Sequence, residues 1–98
     1  MSRTCVNRRT HIKMRMEERF GIKIGLKEII TIKNKCRENK LPIVAIGTIF
    51  PIIVYWKFIQ GKIVYIIYNT KIKYPVTVYT AKMISRLFKR NVIQFVEK

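Results

Sequence analysis

The sequence contains no aspartate and only five glutamates in 98 residues, against 21 lysines and arginines, for a formal net charge of +16. Without Asp, the commonest ligand for Mg²⁺-dependent phosphodiester chemistry is missing, so any reaction on a phosphodiester is expected to run without metal. Cysteine is scarce as well. Cys5 and Cys36 form neither a CxxC pair nor a metal-ligand spacing, which argues against a zinc site and a disulfide framework and for a reducing, cytoplasmic setting. No cofactor motif is present. The longest uncharged run, residues 41–56, contains Pro42, Gly47 and Pro51 and falls short of the roughly 20 residues of a spanning helix. No apolar segment follows the basic N-terminal residues, so no secretory signal is expected and no membrane partner either.

What is present is positive charge and apolar bulk. A chain this basic attracts polyanions, and nucleic acid is the first partner implied. Hydrophobic residues make up 49 % of the sequence, too many for a disordered basic tail, so one compact domain is expected over residues 1–98, with residues 1–9 as a flexible basic arm. Charge is unevenly distributed. Residues 1–41 hold 12 Lys/Arg and 4 Glu, residues 42–81 hold 4 Lys and no acid, and residues 82–98 hold 5 Lys/Arg and 1 Glu. An apolar middle between basic ends predicts a sheet flanked by charged helices.

A first helix is expected from Thr10, as N-cap, to Phe20, ending at Gly21, with Ile12, Met16 and Phe20 as its apolar stripe. His11, Arg15, Glu18 and Arg19 then share a neighbouring face. A second helix is expected over residues 26–39, with Leu26, Ile29, Ile30 and Lys33 at helical spacing; the β-branched run at residues 29–32 leaves a strand as its alternative. From Pro42 onward the pattern turns to strand. Residues 43–50, 52–59, 62–68 and 74–80 read as a meander of three or four antiparallel strands, with a hairpin turn at Gln60-Gly61 and a turn over residues 69–73. In the last of these strands Val76 and Val78 are expected on one face and Thr77 and Tyr79 on the other. A third helix over residues 81–90 places Met83, Ile84, Leu87 and Phe88 on one side and Lys82, Arg86, Lys89 and Arg90 on the other. Residues 92–96 form a candidate terminal strand. The fold class is therefore α+β: N-terminal helices packed on a three- to four-stranded antiparallel sheet, with a C-terminal basic amphipathic helix.

The pattern His11-x3-Arg15-x2-Glu18-Arg19-Phe20-Gly21-Ile22 on a leading helix, followed by Lys62-Ile63-Val64-Tyr65 and Pro75-Val76-Thr77-Val78-Tyr79 on strands, resembles small phage and bacterial families. Those families are similar to RelE and colicin D type ribonucleases, grouped with barnase in one α+β fold. The resemblance implies a toxin-like, metal-independent endoribonuclease in which the ribose 2′-OH attacks its adjacent phosphate, a cognate inhibitor being a further partner. His11, the sole histidine, would be general acid or base, because its ordinary pKa near 6.5 suits both roles. Arg15 would clamp phosphate bidentately, with Arg19 as a second cation, and Thr77 or Tyr79 would offer a hydroxyl near the scissile phosphate. Glu18 is the substitute base.

Arg8, Arg9, Arg19, Lys82, Arg86, Lys89 and Arg90 are the candidates for contacts along the nucleic-acid backbone. The chain departs from the ribonuclease pattern in its apolar sheet, where strands 43–59 carry only Lys57 and the hydroxyls of Thr48 and Tyr55. Tyr55, Trp56, Tyr65 and Tyr68 are either core or surfaces for stacking on bases or a partner protein. Two other readings remain open: a non-catalytic DNA- or RNA-binding protein, and a viral or mobile-element protein gripping an acidic host protein. An exposed sheet edge also offers a route to a homodimer.

Overall fold

The computed structural model describes residues 8–96, with side chains from His11 onward. Its described part is α+β, with three helices and one five-stranded antiparallel sheet. The elements run α1 (Arg8–Phe20), α2 (Leu26–Arg37), β1 (Ile43–Gly47), β2 (Ile52–Ile59), β3 (Lys62–Asn69), β4 (Tyr74–Tyr79), α3 (Ala81–Lys89) and β5 (Ile93–Phe95). Sheet order is β4-β3-β2-β1-β5, so the first four strands form a meander and the last one closes on β1.

Ile12, Met16 and Phe20 recur every fourth residue along α1 and are all buried, which fixes the face the helix turns to the sheet. The helix begins at Arg8, so Thr10 lies inside it rather than at its cap, and Arg8 and Arg9 belong to its first turn rather than to an arm. It ends at Gly21, whose φ of +66° is a conformation that favours glycine. In α2 the Gly25 N–H donates to Glu28 Oε1 at 3.2 Å, satisfying one of the free donors of the helix start. Its buried stripe is Ile29, Ile32 and Cys36. Leu26, expected in that stripe, is exposed instead. Alternation of apolar and polar residues did not distinguish the two faces, because isoleucine occurs on both.

Side chains from α1, α2 and one sheet face make the larger core: Tyr55 and Ile59 from β2, Val64, Ile66 and Tyr68 from β3, and Val78 from β4. The other face carries a smaller cluster in which Ile84 of α3 meets Ala45, Val54, Ile67 and Ile93. Two helices on one face and one on the other give three layers around the sheet.

Three expectations are corrected here. The sheet has five strands, not three or four, because Ile93–Phe95 pairs with Ala45–Gly47. The third helix does not close the chain, since β5 follows it. Val76 and Val78 do not share a face: the register of β3 with β4 slips between Ile67 and Tyr68, so Val76 packs with the α3-side cluster while Val78 packs under α1 and α2.

Turns follow the sequence closely. Gln60 and Gly61 both have positive φ, which joins β2 to β3 in a tight hairpin. Asn69 Oδ1 accepts from the N–H groups of Lys71 and Ile72 and so organises the next turn. Gly47 is required for space: a Cβ there would lie 2.2 Å from the carbonyl oxygen of Phe50.

Candidate nucleic-acid interface

The predicted site residues fall into two groups, one around β4 and one on α3. Strand β4 is an edge strand, and α1 packs against it. From the last turn of α1 the Arg19 side chain reaches that edge. Its Nη1 donates to the Val78 carbonyl at 2.7 Å and to Thr77 Oγ1 at 3.4 Å, and its guanidinium lies 5.3 Å from the centroid of the Tyr79 ring. Thr77 and Tyr79 pair with Ile67 and Tyr65 on the α3 side of the sheet, so Arg19 laps over the edge from one face toward the other. The structure thus brings Arg19, Thr77 and Tyr79 together.

Arg15 and His11 lie on α1 about one and two turns back from Arg19, respectively. Burial, then the positive charges of Arg15 and Arg19, hold the His11 imidazole below its ordinary pKa, and Glu18 opposes them. The shift favours the neutral form of the ring over the imidazolium. Arg15 is engaged in an exposed ion pair, its Nη1 2.7 Å from Glu18 Oε1. Glu18, the substitute base, is therefore tied to the proposed phosphate clamp. Each guanidinium retains further N–H donors beyond these contacts.

Lys82, Arg86, Lys89 and Arg90 are all exposed, and no ion pair among the described residues involves them. The α3 helix holds them away from the sheet because Ile84 and Leu87 pack inward. Thr80 caps this helix, its Oγ1 accepting from Met83 N at 3.3 Å. The described carboxylates, Glu17, Glu18, Glu28 and Glu38, all belong to α1, α2 and the residue that ends α2. From Asn39 to Val96 there is no acidic side chain. The α1/α2 layer is therefore of mixed charge, whereas the sheet and α3 carry cations alone.

Side chains of Arg8 and Arg9 lie outside what the structure describes, as does Cys5. Cys36 is a buried free thiol, pushed up to about 12 by burial, and no cluster of metal-ligating side chains occurs among the described residues. No helix is long and apolar enough to cross a membrane among those residues.

The four aromatics considered for stacking divide by face. Tyr55 and Tyr68 are core: their rings meet edge-on at 5.9 Å, and the Tyr55 hydroxyl donates to the Cys36 carbonyl at 3.1 Å. Trp56 and Tyr65 are paired in register on the opposite face and are only half-buried. Sequence reasoning passed over Phe58, which is 62 % exposed, and the stacked pair Phe88–Phe95, at 4.5 Å between centroids. The two-residue spacing of Trp56 and Phe58 was the available signal for the first of these.

Fold and charge define a small basic α+β protein whose described carboxylates all lie on or at the end of α1 and α2. Comparison with family models, with curated proteins and with solved structures finds no match.

Proposed function

We propose that this protein binds nucleic acid, RNA ahead of DNA, with Lys82, Arg86, Lys89, Arg90 and Arg19 contacting phosphates. The observation that carries this reading is the segregation of charge: every described carboxylate lies on or at the end of α1 and α2, and the other described elements present only cations. A protein partner would be met by complementary charge at a few points, whereas a polyanion tolerates and rewards an unbroken positive surface. Arg8 and Arg9 add to that charge at the start of α1. Mobility shift of labelled single-stranded RNA, duplex RNA and duplex DNA in excess EDTA tests the reading. Retardation that fades as salt rises is expected; no retardation at low salt overturns it and redirects the search to acidic proteins.

A second reading, supported by the depressed pKa of His11 beside two arginines, is metal-independent endonucleolytic cleavage of RNA. In that reaction His11 accepts the 2′-OH proton, O2′ bonds to the adjacent phosphorus, and the 5′-oxygen leaves with a proton from an acid, giving a 2′,3′-cyclic phosphate. Arg15 and Arg19 would balance the charge on the phosphorane, and the Thr77 or Tyr79 hydroxyl would orient a phosphate oxygen. With the same substrates, His11→Ala should abolish cleavage and leave retardation nearly intact. Equal cleavage by the variant removes His11 from the chemistry.

A further inference from the structure

We infer that the part of the sheet face left uncovered by α3 is a stacking platform for the bases of single-stranded nucleic acid, an inference that rests on the nucleic-acid reading above. The register defines the surface. Val54 of β2 and Ile67 of β3 are paired, and Ile84 of α3 covers both. One step along the same face, Trp56 pairs with Tyr65, which pairs in turn with Tyr79; one step further, Phe58 pairs with Ile63. With nine residues, α3 spans the Val54–Ile67 row and not the Phe58–Ile63 row.

Phe58 is 62 % exposed and Ile63 48 %, while Trp56, Tyr65 and Tyr79 are half-buried. Both α1 and α2 lie against the other face, so α3 is the only described helix on this one, and Tyr65 and Tyr79 pack at the border of its cluster. Toward the other sheet edge, the stacked rings of Phe88 and Phe95 add two more exposed aromatics, with Phe95 opposite Ala45 on the same face.

Charge complementarity selects the occupant. Strands β2 to β4 and α3, which build and border the platform, carry no carboxylate themselves, and Glu28 of α2 is met only in the cavity that Phe58 also lines; the Arg19 guanidinium lies against the Tyr79 ring at one edge and the α3 cations alongside. A second copy of a chain carrying +16 would bring like charge against like. A duplex hides the flat faces of its bases, whereas a single strand offers successive π-faces to aromatic side chains and phosphates to the surrounding cations. Single-stranded nucleic acid is therefore the occupant that uses both features of the surface.

Trp56 is the sole tryptophan, so its emission reports this surface directly. The full chain would be titrated with labelled oligo(U), oligo(dT) and duplex RNA, following label anisotropy and Trp56 emission together, for wild type and Phe58→Ala. Phe58 is mostly exposed, so the variant should keep the wild-type circular dichroism and melting curve, which are recorded as a control. Quenching that saturates with the anisotropy of the single strands, and a loss of about 5- to 100-fold in single-strand affinity for the variant with duplex affinity unchanged, is expected. The oligo(U) and oligo(dT) arms separate RNA from DNA. Binding by anisotropy with emission and variant affinity both unchanged overturns the platform and leaves the nucleic-acid reading standing. No anisotropy change with any nucleic acid overturns both. Reversible dimerisation in sedimentation that Phe58→Ala abolishes would assign the surface to a second copy and overturn the inference.

Discussion

His11 shows how one side chain acquires its chemistry from its neighbours. Desolvation is the largest influence on it, followed by Arg15 and Arg19 from the same helix, and all three disfavour the imidazolium. The folded state therefore binds the proton less tightly than the unfolded chain, whose histidine titrates near 6.5. Stability from this group is complete above that pH and is lost as pH falls through it toward the folded pKa. The expected outcome is a melting temperature that declines between pH 7.5 and 5.5 more steeply for wild type than for His11→Gln, measured by circular dichroism. Parallel curves would show that the ring is as easily protonated in the fold as out of it. The same depressed pKa keeps the base form available at neutral pH, so the stability profile and any pH–rate profile for cleavage should bend in the same window.

Arg19 acts at the scale of an element, because the strand it touches has no neighbouring strand on that side among the described residues. An edge strand presents unpaired carbonyls and N–H groups that recruit other chains, and β4 has one such carbonyl, at Val78, bonded by a guanidinium 2.7 Å away. Arg19→Ala should cost on the order of 1.5–3 kcal/mol at most, the range for a hydrogen bond to a charged group, read as a shift in urea midpoint. It should also raise light scattering at high protein concentration; an unchanged midpoint would mean that solvent replaces the guanidinium fully. The sequence offers Arg19 as a candidate phosphate ligand but not its hold on the strand edge, since nothing in spacing tells which helix end will meet which edge.

Elements with strong local signals were legible in the same way: β2 and the Gln60-Gly61 turn fall where β-branching and turn chemistry put them. Strand β5 was visible only as a candidate, because three residues carry little pattern and its partner, β1, is distant in the chain. The split of Tyr55 and Tyr68 from Trp56 and Tyr65 was not legible, because it depends on which face α1 and α2 cover. Alternation assigns residues to two faces without saying which face meets the helices.

At the scale of the whole molecule, charge rather than shape separates the two sides. Paired charges such as Arg15–Glu18 and Lys40–Glu38 occupy the α1/α2 layer and its end, where they neutralise each other locally. On α3 no carboxylate among the described residues pairs with Lys82, Arg86, Lys89 or Arg90, which leaves these four cations available to phosphate. Each phosphate neutralised on a single strand releases counterions and adds roughly 0.7 to the slope of log affinity against log salt. Replacing all four with Gln should therefore flatten that slope by up to about 3 if every one of them contacts phosphate. The fold should survive, since these side chains are exposed and the apolar contacts of Ile84 and Leu87 are untouched. Anisotropy titrations of labelled oligo(U) over a series of salt concentrations read the slope directly. A flattened slope with Trp56 quenching retained at low salt would separate the two contributions, phosphates held by α3 and bases held by the sheet. A slope unchanged in the quadruple variant would instead assign the phosphate contacts to the α1 end of the molecule, where Arg15 and Arg19 lie.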